Sequence, residues 1–427
     1  MAGDPPRVLV VGAGGREHAL VRALKRSAAA PELLCAPGNP GIEADARLLA
    51  ITVDDVAGLA DAAVSEGCDL VVIGPEVPLV AGLADELEAR GITVFGPSAA
   101  AARLEGSKEY AKEVMQAAGV PTARWSAVED VDGGMAAIER YPVVLKFDGL
   151  AAGKGVVIAQ DEDEAQATLG SFLVERRFGP GRVVVEEFLE GEELSLLALC
   201  DGERALPMAS AQDYKRIFDH DEGPNTGGMG SYSPVPGAGA ERVAQLAAVV
   251  HQPIVDELRE RGTPFHGVLY AGIMLTPDGP KVLEYNVRFG DPETQAVLPR
   301  LRSDAYELLR AAARPGGLAN ATLEFDDGWA VTLVLASAGY PEAPTTGDVI
   351  SGLDDVADGI EVTHAGTRRT DDGAIVTAGG RVLNVTALGA SPASARDAAY
   401  AAAQHIDFAG RQLRGDIALR AVERTEQ

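Results

Sequence analysis

The chain is 427 residues long, 46% hydrophobic and 24% charged, which suits two to four packed globular domains and excludes an intrinsically disordered protein. Its formal net charge of -27 leaves no basic surface for nucleic acid or an anionic membrane. No apolar run approaches the roughly 20 residues of a membrane helix, and Cys35, Cys68 and Cys200 are spaced for neither a disulfide framework nor a metal, so the expected setting is a reducing cytoplasm.

Pro5 and Pro6 lead straight into Val8-Leu9-Val10-Val11, without the basic and apolar regions of a secretion signal. Residues 8–11, 33–36, 69–73 and 93–95 are predicted strands, with helices over 16–27, 56–65 and 79–89 between them. Strands alternating with helices imply βαβ units and a parallel sheet buried on both faces, a Rossmann-like domain over residues 1–103. Three strands end in glycine or proline turns, which places a ligand pocket beyond their carboxyl ends. The first turn, Gly12-Ala13-Gly14-Gly15-Arg16-Glu17, carries two glycines of a dinucleotide fingerprint. Glu17 stands where the third should be, and its carboxylate would repel a pyrophosphate. A plain glycine turn fits this segment. So does a site for a monophosphate or sugar hydroxyls, with Gly14 and Gly15 offering N–H groups and Glu17 accepting from hydroxyls.

Ser107 is placed to cap a helix running to about Ala118, ended by Gly119-Val120-Pro121. Residues 123–190 then read as strand, helix, strand, glycine loop, strand, helix, strand, a small lobe within a central domain over 104–327. Its centre, from Val143 to Ile158, resembles a P-loop only superficially. Asp148 replaces the first glycine, Gly155 the Ser/Thr, and a strand follows instead of a helix. What remains is a hairpin with Lys146 in its first strand and Lys154 at a glycine-rich tip, suited to close over a triphosphate. Only seven lysines occur in the chain, and Lys108, Lys146, Lys154 and Lys215 all fall in glycine- or acid-rich motifs. Because the overall field repels a polyphosphate, its positive surroundings must come from such local groups.

The next strand ends in Glu186-Glu187-Phe188-Leu189-Glu190-Gly191-Glu192-Glu193. Alone this is an exposed acidic turn. Beside a triphosphate flap it suits the adenosine end: backbone groups near Phe188 and Leu189 reading the adenine edge, and a carboxylate such as Glu193 binding ribose hydroxyls. Gln212-Asp213-Tyr214-Lys215-Arg216 and Gly223-Pro224-Asn225-Thr226-Gly227-Gly228-Met229-Gly230 form a polar loop whose glycines imply close approach to a ligand. A long helix is expected near 241–261. Further on, Glu284 and Asn286 are two apart on a strand, so both side chains leave one face, with roughly 7 Å between their Cα atoms. A carboxylate and an amide oxygen suit a hard cation that keeps waters and binds phosphate oxygens. Arg288 and the turn after it could grip a carboxylate or phosphate. After Asp326-Asp327-Gly328 the tail, 328–427, is strand-rich with a closing helix near 393–404.

These segments resemble the ATP-grasp superfamily and, more narrowly, the family of phosphoribosylamine–glycine ligases of purine synthesis. The resemblance rests on Gly14-Gly15-Arg16-Glu17-His18-Ala19, Leu104-Glu105-Gly106-Ser107-Lys108, the stretch from Asp148 to Gly155, the stretch from Gly223 to Gly230, and Arg288-Phe289-Gly290-Asp291-Pro292-Glu293-Thr294-Gln295. Phe147 replaces the usual small residue after the strand lysine, and Met274 stands where many relatives in the superfamily place an acid. The resemblance implies an ATP-grasp domain between a Rossmann-like and a mixed C-terminal domain. It implies ATP with Mg²⁺ or Mn²⁺, and a ligation of glycine to 5-phosphoribosylamine through glycyl phosphate. On that resemblance Lys154, Arg288, Asn225 and Thr226 are catalytic candidates, and Lys108, Lys146, Lys154, Glu186, Phe188, Leu189 and Glu193 bind ATP. Gly14, Gly15, Glu17, Asp213, Lys215, Arg288, Asp291 and Glu293 take the other substrates, and Glu284 and Asn286 hold the metal. The partners are small molecules, with a monomer compatible. Another carboxylate–amine ligase or carboxylase of the superfamily, or a non-catalytic nucleotide-binding module, is the alternative.

Overall fold

Runs of Val, Leu and Ile near the N-terminus have no polar face to show to water, and they form the buried centre of a parallel sheet. In the computed structural model, which describes residues 4–151 and 154–426, β1 (Arg7–Gly12) and β2 (Glu32–Pro37) are joined by β3 (Arg47–Leu48), β4 (Leu70–Ile73) and β5 (Val94–Phe95) in the order β3-β2-β1-β4-β5. All pairs are parallel. The helices are α1 (Gly15–Lys25), α2 (Val56–Ser65), α3 (Glu76–Val80) and α4 (Leu83–Ala89). The single helix expected over 79–89 starts earlier and breaks, because Gly82 takes a left-handed φ of 89° that ends one helix and begins the next. Strand order reverses between β1 and β4, so a crevice opens beyond their carboxyl ends, where Gly12 and Gly74 stand.

Two helices lead out of this domain, α5 (Ala99–Gly106) and α6 (Lys108–Ala117), and the Ser107 hydroxyl accepts from the Tyr110 N–H as the α6 cap. The small lobe follows in the expected order: β6 (Trp125–Val128), α7 (Val131–Ala137), β7 (Val143–Phe147), β8 (Val156–Ala159), α8 (Glu162–Leu169) and β9 (Val183–Glu187). Its antiparallel sheet, β6-β9-β7-β8, has its own core around Leu145, Phe147, Phe172 and Val183. Ala152 and Gly153 of the glycine-rich tip lie outside the described residues.

β10 (Glu192–Asp201) and β11 (Ala205–Pro207) open a second antiparallel sheet; β12 (Gln212–Asp213), β13 (Arg216–Phe218), β14 (Glu222–Asn225) and β15 (Gly230–Ser233) follow. In place of one helix over 241–261 there are two, α9 (Ala240–Val250) and α10 (Gln252–Glu260), with His251 between them and Pro253, which cannot continue a helix ladder, at the new start. β16 (His266–Thr276) and β17 (Gly279–Asn286) complete the order β11-β10-β16-β17. After α11 (Glu293–Val297) and α12 (Ala305–Ala312) come β18 (Trp329–Ala336), β19 (Glu361–His364), β20 (Thr367–Arg369), β21 (Ile375–Thr377), β22 (Arg381–Gly389) and α13 (Pro392–Ala403). The helix expected to close the chain is not the last: α14 (Leu419–Thr425) follows it. β12 and β15 join the C-terminal strands in one sheet, β12-β15-β18-β22-β19. The polar loop between them therefore hangs from the C-terminal sheet. The architecture is the mixed one expected, a parallel N-terminal sheet, a central region with a small antiparallel lobe, and a C-terminal layer of strands and helices. No helix among the described residues is long and apolar enough to cross a membrane.

Candidate active site

An open cleft of about 400 Å³ is bounded by the end of β1, α5 and α6, the small lobe, β17 and the C-terminal sheet. That volume is in the range of small-molecule sites. Seven Lys and Arg side chains and seven Asp and Glu side chains line it. A cleft in local balance, within a chain of net charge -27, is where an anionic ligand meets least repulsion.

At one end, α6 presents Lys108 from its first turn, and its Nζ donates to the Gly149 carbonyl at 2.9 Å. Asp148 ties the same helix start to the hairpin, accepting from Ser107 Oγ and from the Glu109 N–H, each at 3.2 Å. Burial lowers the Lys108 pKa, and neighbouring Lys146 adds to this, against the pull of Glu284 and Asp148. Lys146 extends from β7 and donates to the Leu283 carbonyl at 2.8 Å. That carbonyl is free because Leu283 is the extra residue of a bulge: Gly272 pairs with Glu284 and Ile273 with Val282, leaving Leu283 unpaired. Glu186, 2% exposed, lies on the same wall, 3.0 Å from the Lys146 ammonium.

Glu284 and Asn286 both line the cleft from β17, as their two-residue spacing requires. Among the described residues the Glu284 carboxylate accepts no hydrogen bond. Burial would raise its pKa, but Lys215, Lys146, Lys108 and Arg288 outweigh burial and hold it low, so it stays an anion. Asn286 Oδ1 accepts from Arg288 Nη2 at 3.0 Å. No cluster of three or more His, Cys, Asp or Glu capable of holding a metal occurs among the described residues. The donor set present is two hard oxygens on one face, one of them uncommitted. It fits a cation that draws most of its shell from phosphate oxygens and water.

Arg288 is held by Glu105 at 2.9 Å and Glu76 at 3.4 Å. Asp213 and Lys215 line the adjoining wall. Burial, reinforced by Glu293 and Glu193, raises the Asp213 pKa well above the usual carboxylate range, with Lys215 opposing. Lys215 is itself buried against charge, yet Glu193, with which it is ion-paired, and Asp213 push its pKa up. Glu293, 3% exposed at the start of α11, accepts from Ser195 Oγ at 3.1 Å. Asp291 accepts from the Arg16 N–H at 3.2 Å and from Gln295 Nε2 at 2.8 Å, and Arg381 Nη1 lies 3.4 Å from its carboxylate.

The cleft thus gathers Lys108, Lys146, Glu186, Asp213, Lys215, Thr226, Glu284, Asn286, Arg288, Asp291 and Glu293. Others stand off its wall. Lys154 is exposed beyond β7. Leu189 is buried, and Phe188 is half-buried with its carbonyl accepting from Arg140 at 3.5 Å. Glu193 reaches the site only through Lys215, and Asn225 is paired with Arg216 in the β13–β14 hairpin. Gly14, Gly15 and Glu17 are not on the cleft wall, although Arg16 among them is. The Glu17 carboxylate turns inward as a capping box, accepting from the Gly14 N–H at 2.6 Å, and Gly12, Gly14 and Gly74 crowd round it. Burial and nearby Asp291 push its pKa up to about 7, against Arg16. At Gly15 an added Cβ would come 2.2 Å from Asn384 Nδ2.

Sequence reasoning singled out none of Arg16, Glu76, Glu105, Lys112, Tyr270, Tyr340 and Arg381, all on the cleft wall. A signal existed for Lys112, four residues after Lys108 and so on the same helix face. Arg16 and Glu105 sat inside the quoted motifs. Tyr340 and Arg381 come from distant C-terminal segments, with no local mark of a site.

Three family models match the chain: the N domain of phosphoribosylglycinamide synthetase over residues 6–105, its ATP-grasp (A) domain over 106–294, and its C domain over 330–420. The chain is 52% identical over 423 residues to the phosphoribosylamine–glycine ligase of Streptomyces coelicolor, covering 97% of this chain and 99% of that one. It is 49% identical to the enzyme of the same name from Brucella melitensis, covering 98% and 99%. A crystal structure of the phosphoribosylamine–glycine ligase of Thermotoga maritima superposes with a TM-score of 0.81 at 34% identity, over 96% of this chain and all (100%) of that one. The biotin carboxylase domain of a Hydrogenobacter thermophilus 2-oxoglutarate carboxylase shares the fold, at a TM-score of 0.71 and 18% identity, over 95% of this chain and 91% of that one.

Proposed function

This chain belongs to the phosphoribosylglycinamide synthetase family, and from that premise and its cleft we infer that it is an ATP-dependent carboxylate–amine ligase of purine biosynthesis. It joins glycine to 5-phosphoribosylamine, giving glycinamide ribonucleotide, ADP and phosphate. The observation that carries this reading is the convergence of Lys108, Lys146, Lys215 and Arg288 on the uncommitted carboxylate of Glu284 within one cleft.

A carboxylate is a poor electrophile, so one glycine oxygen first attacks the γ-phosphorus of ATP; glycyl phosphate forms and ADP departs. The amine of phosphoribosylamine then attacks the acyl carbon, with loss of a proton and departure of phosphate. Both steps ask for alignment and charge neutralisation more than for a covalent nucleophile. Lys108 and Lys146 face the nucleotide phosphates, and Lys154, exposed after β7, joins them when the hairpin closes. Arg288, clamped by Glu105 and Glu76, steadies the transferring phosphoryl group, helped by Thr226 on the cleft wall and by Asn225, which precedes it at the end of β14. Glu186, Phe188, Leu189 and Glu193 serve the nucleoside end. Asp213 and Lys215 orient glycine. Arg16, Asp291 and Glu293 bound the space for the sugar, with Gly14, Gly15 and Glu17 shaping the turn behind them. Glu284 and Asn286 would hold Mg²⁺, or Mn²⁺ in its place, which when bound offsets charge on the phosphate oxygens. Closure of the hairpin keeps water from the acyl phosphate.

The test is ADP release with Mg²⁺, glycine and phosphoribosylamine supplied together. Turnover that requires both substrates is expected, with Lys146→Met lowering kcat/KM by about 100-fold. Turnover that follows bicarbonate instead of glycine would overturn the assignment.

A further inference from the structure

At the nucleotide end of the cleft stands a side chain to which the ligase reading gives no part. Lys112 lies one helical turn beyond Lys108 on α6, and its side chain is 2% exposed. Its ammonium donates to Glu186 Oε2 at 2.9 Å and to Thr122 Oγ1 at 2.7 Å, and that hydroxyl donates onward to the Val282 carbonyl at 2.6 Å. Glu186 is as deeply buried, 2% exposed. Its other oxygen, Oε1, lies 3.0 Å from Lys146 Nζ yet makes no hydrogen bond, because the Lys146 ammonium is directed to the Leu283 carbonyl. One buried carboxylate is thus shared by two ammonium groups, and only Lys112 holds it by a hydrogen bond.

We propose that Lys112 is a positioning residue for the nucleotide: by engaging Glu186 it leaves the Lys146 ammonium free to meet an anionic oxygen in the cleft. The inference rests on the ATP reading of that cleft. An ammonium has three donors. With Lys112 in place, Lys146 keeps donors beyond the one given to Leu283, and the three charged groups together carry one net positive charge. Without Lys112, a buried and otherwise unpaired carboxylate draws Lys146 onto itself, and the net charge of that pair falls to zero. The arrangement separates two tasks, one lysine for the protein's own carboxylate and one for the ligand.

The experiment compares the parent chain with Lys112→Met, Lys112→Arg, Lys146→Met and Lys112→Met/Lys146→Met, measuring ADP binding by calorimetry, kcat and KM for ATP and glycine, and thermal unfolding. Methionine keeps the length of the stem and removes the charge. Lys112→Met should raise the ADP Kd and the ATP KM about ten-fold, with the glycine KM within about two-fold of the parent. Lys112→Arg should stay within about three-fold. Because Lys112 acts through Lys146, the double variant should bind ADP within about two-fold of Lys146→Met alone, a masking that a merely structural loss would not produce. Losses that add in the double variant overturn the proposal, as does a Lys112→Met that binds like the parent. If Lys112→Met does not fold, Lys112→Gln decides: an ADP Kd raised at least about three-fold supports the proposal, and binding like the parent overturns it. Failure of the parent to bind ADP would instead overturn the ATP reading.

Discussion

Arg288 shows how much of this site is set by single contacts. Burial works against its charge, and the carboxylates of Glu105 and Glu76 more than offset it, so the guanidinium stays protonated. Glu105 does two things at once: one oxygen pairs with Arg288 at 2.9 Å and the other accepts the Val287 N–H at 2.7 Å. It therefore fixes both the guanidinium and the backbone that carries it. Glu105→Gln keeps the shape and removes the charge. It is expected to lower kcat about ten-fold, equivalent to about 1.4 kcal/mol and the size of one charge-assisted hydrogen bond, with the ATP KM within about two-fold. Steady-state kinetics checks this; a variant that changes KM alone would place Glu105 in ground-state binding. The sequence made Arg288 visible through the turn after it, but its partner Glu105 stands 183 positions away and no local pattern joins them.

At the scale of elements, two motifs recognised separately in the sequence prove to be one surface. The glycine-rich loop before β15 packs on the turn before α11. Gly228 sits at a left-handed φ of 110°, and an added Cβ would come 2.5 Å from Pro292 Cδ. Arg381 Nη1 stitches the same two segments together, donating to the carbonyls of Gly227 at 2.5 Å and Asp291 at 2.6 Å. Gly228→Ala should cost about 1–3 kcal/mol in stability through the strained φ and the clash, and lower kcat/KM about ten-fold by displacing Thr226. Thermal unfolding and kinetics together test this; full activity would show that the loop tolerates the shift. The elements themselves were largely legible, because strand and helix periods are local properties. The break at Gly82 and the junction at His251 were not read, since a long apolar period continues across both and outweighs the local marks that Gly82 and Pro253 carry.

Across the whole molecule, N- and C-terminal parts are locked by neutral imidazoles. His18 Nδ1 on α1 accepts the His364 N–H from β19 at 2.9 Å, and Asn39 Nδ2 reaches the carbonyls of both Ala13 and His364. Burial lowers the pKa of His18 to about 4, of His364 to about 3 and of His251 to about 4. For His18 the nearby Asp45, at 3.6 Å, opposes the shift without cancelling it. Unfolded imidazoles titrate near 6.5, so below that pH the unfolded chain binds more protons than the folded one. The stability these groups contribute is complete above about pH 6.5 and is lost as pH falls toward 4, at up to about 1.4 kcal/mol per pH unit for each. His364→Gln should therefore flatten the fall of Tm between pH 6.5 and 4 relative to the parent, and an unchanged slope would show that His364 titrates normally. From the residue string alone came the parallel N-terminal domain, the hairpin with Lys146, the shared face of Glu284 and Asn286, and the family resemblance, because each rests on spacings within one strand, helix or loop. Only the tertiary structure decided that Glu17 turns into its own helix, that Arg381 reaches Asp291, that Glu105 clamps Arg288 and that Lys112 takes Glu186. Those pairings join residues far apart in the chain, and their contact is set by sheet order and packing, to which local periodicity is blind.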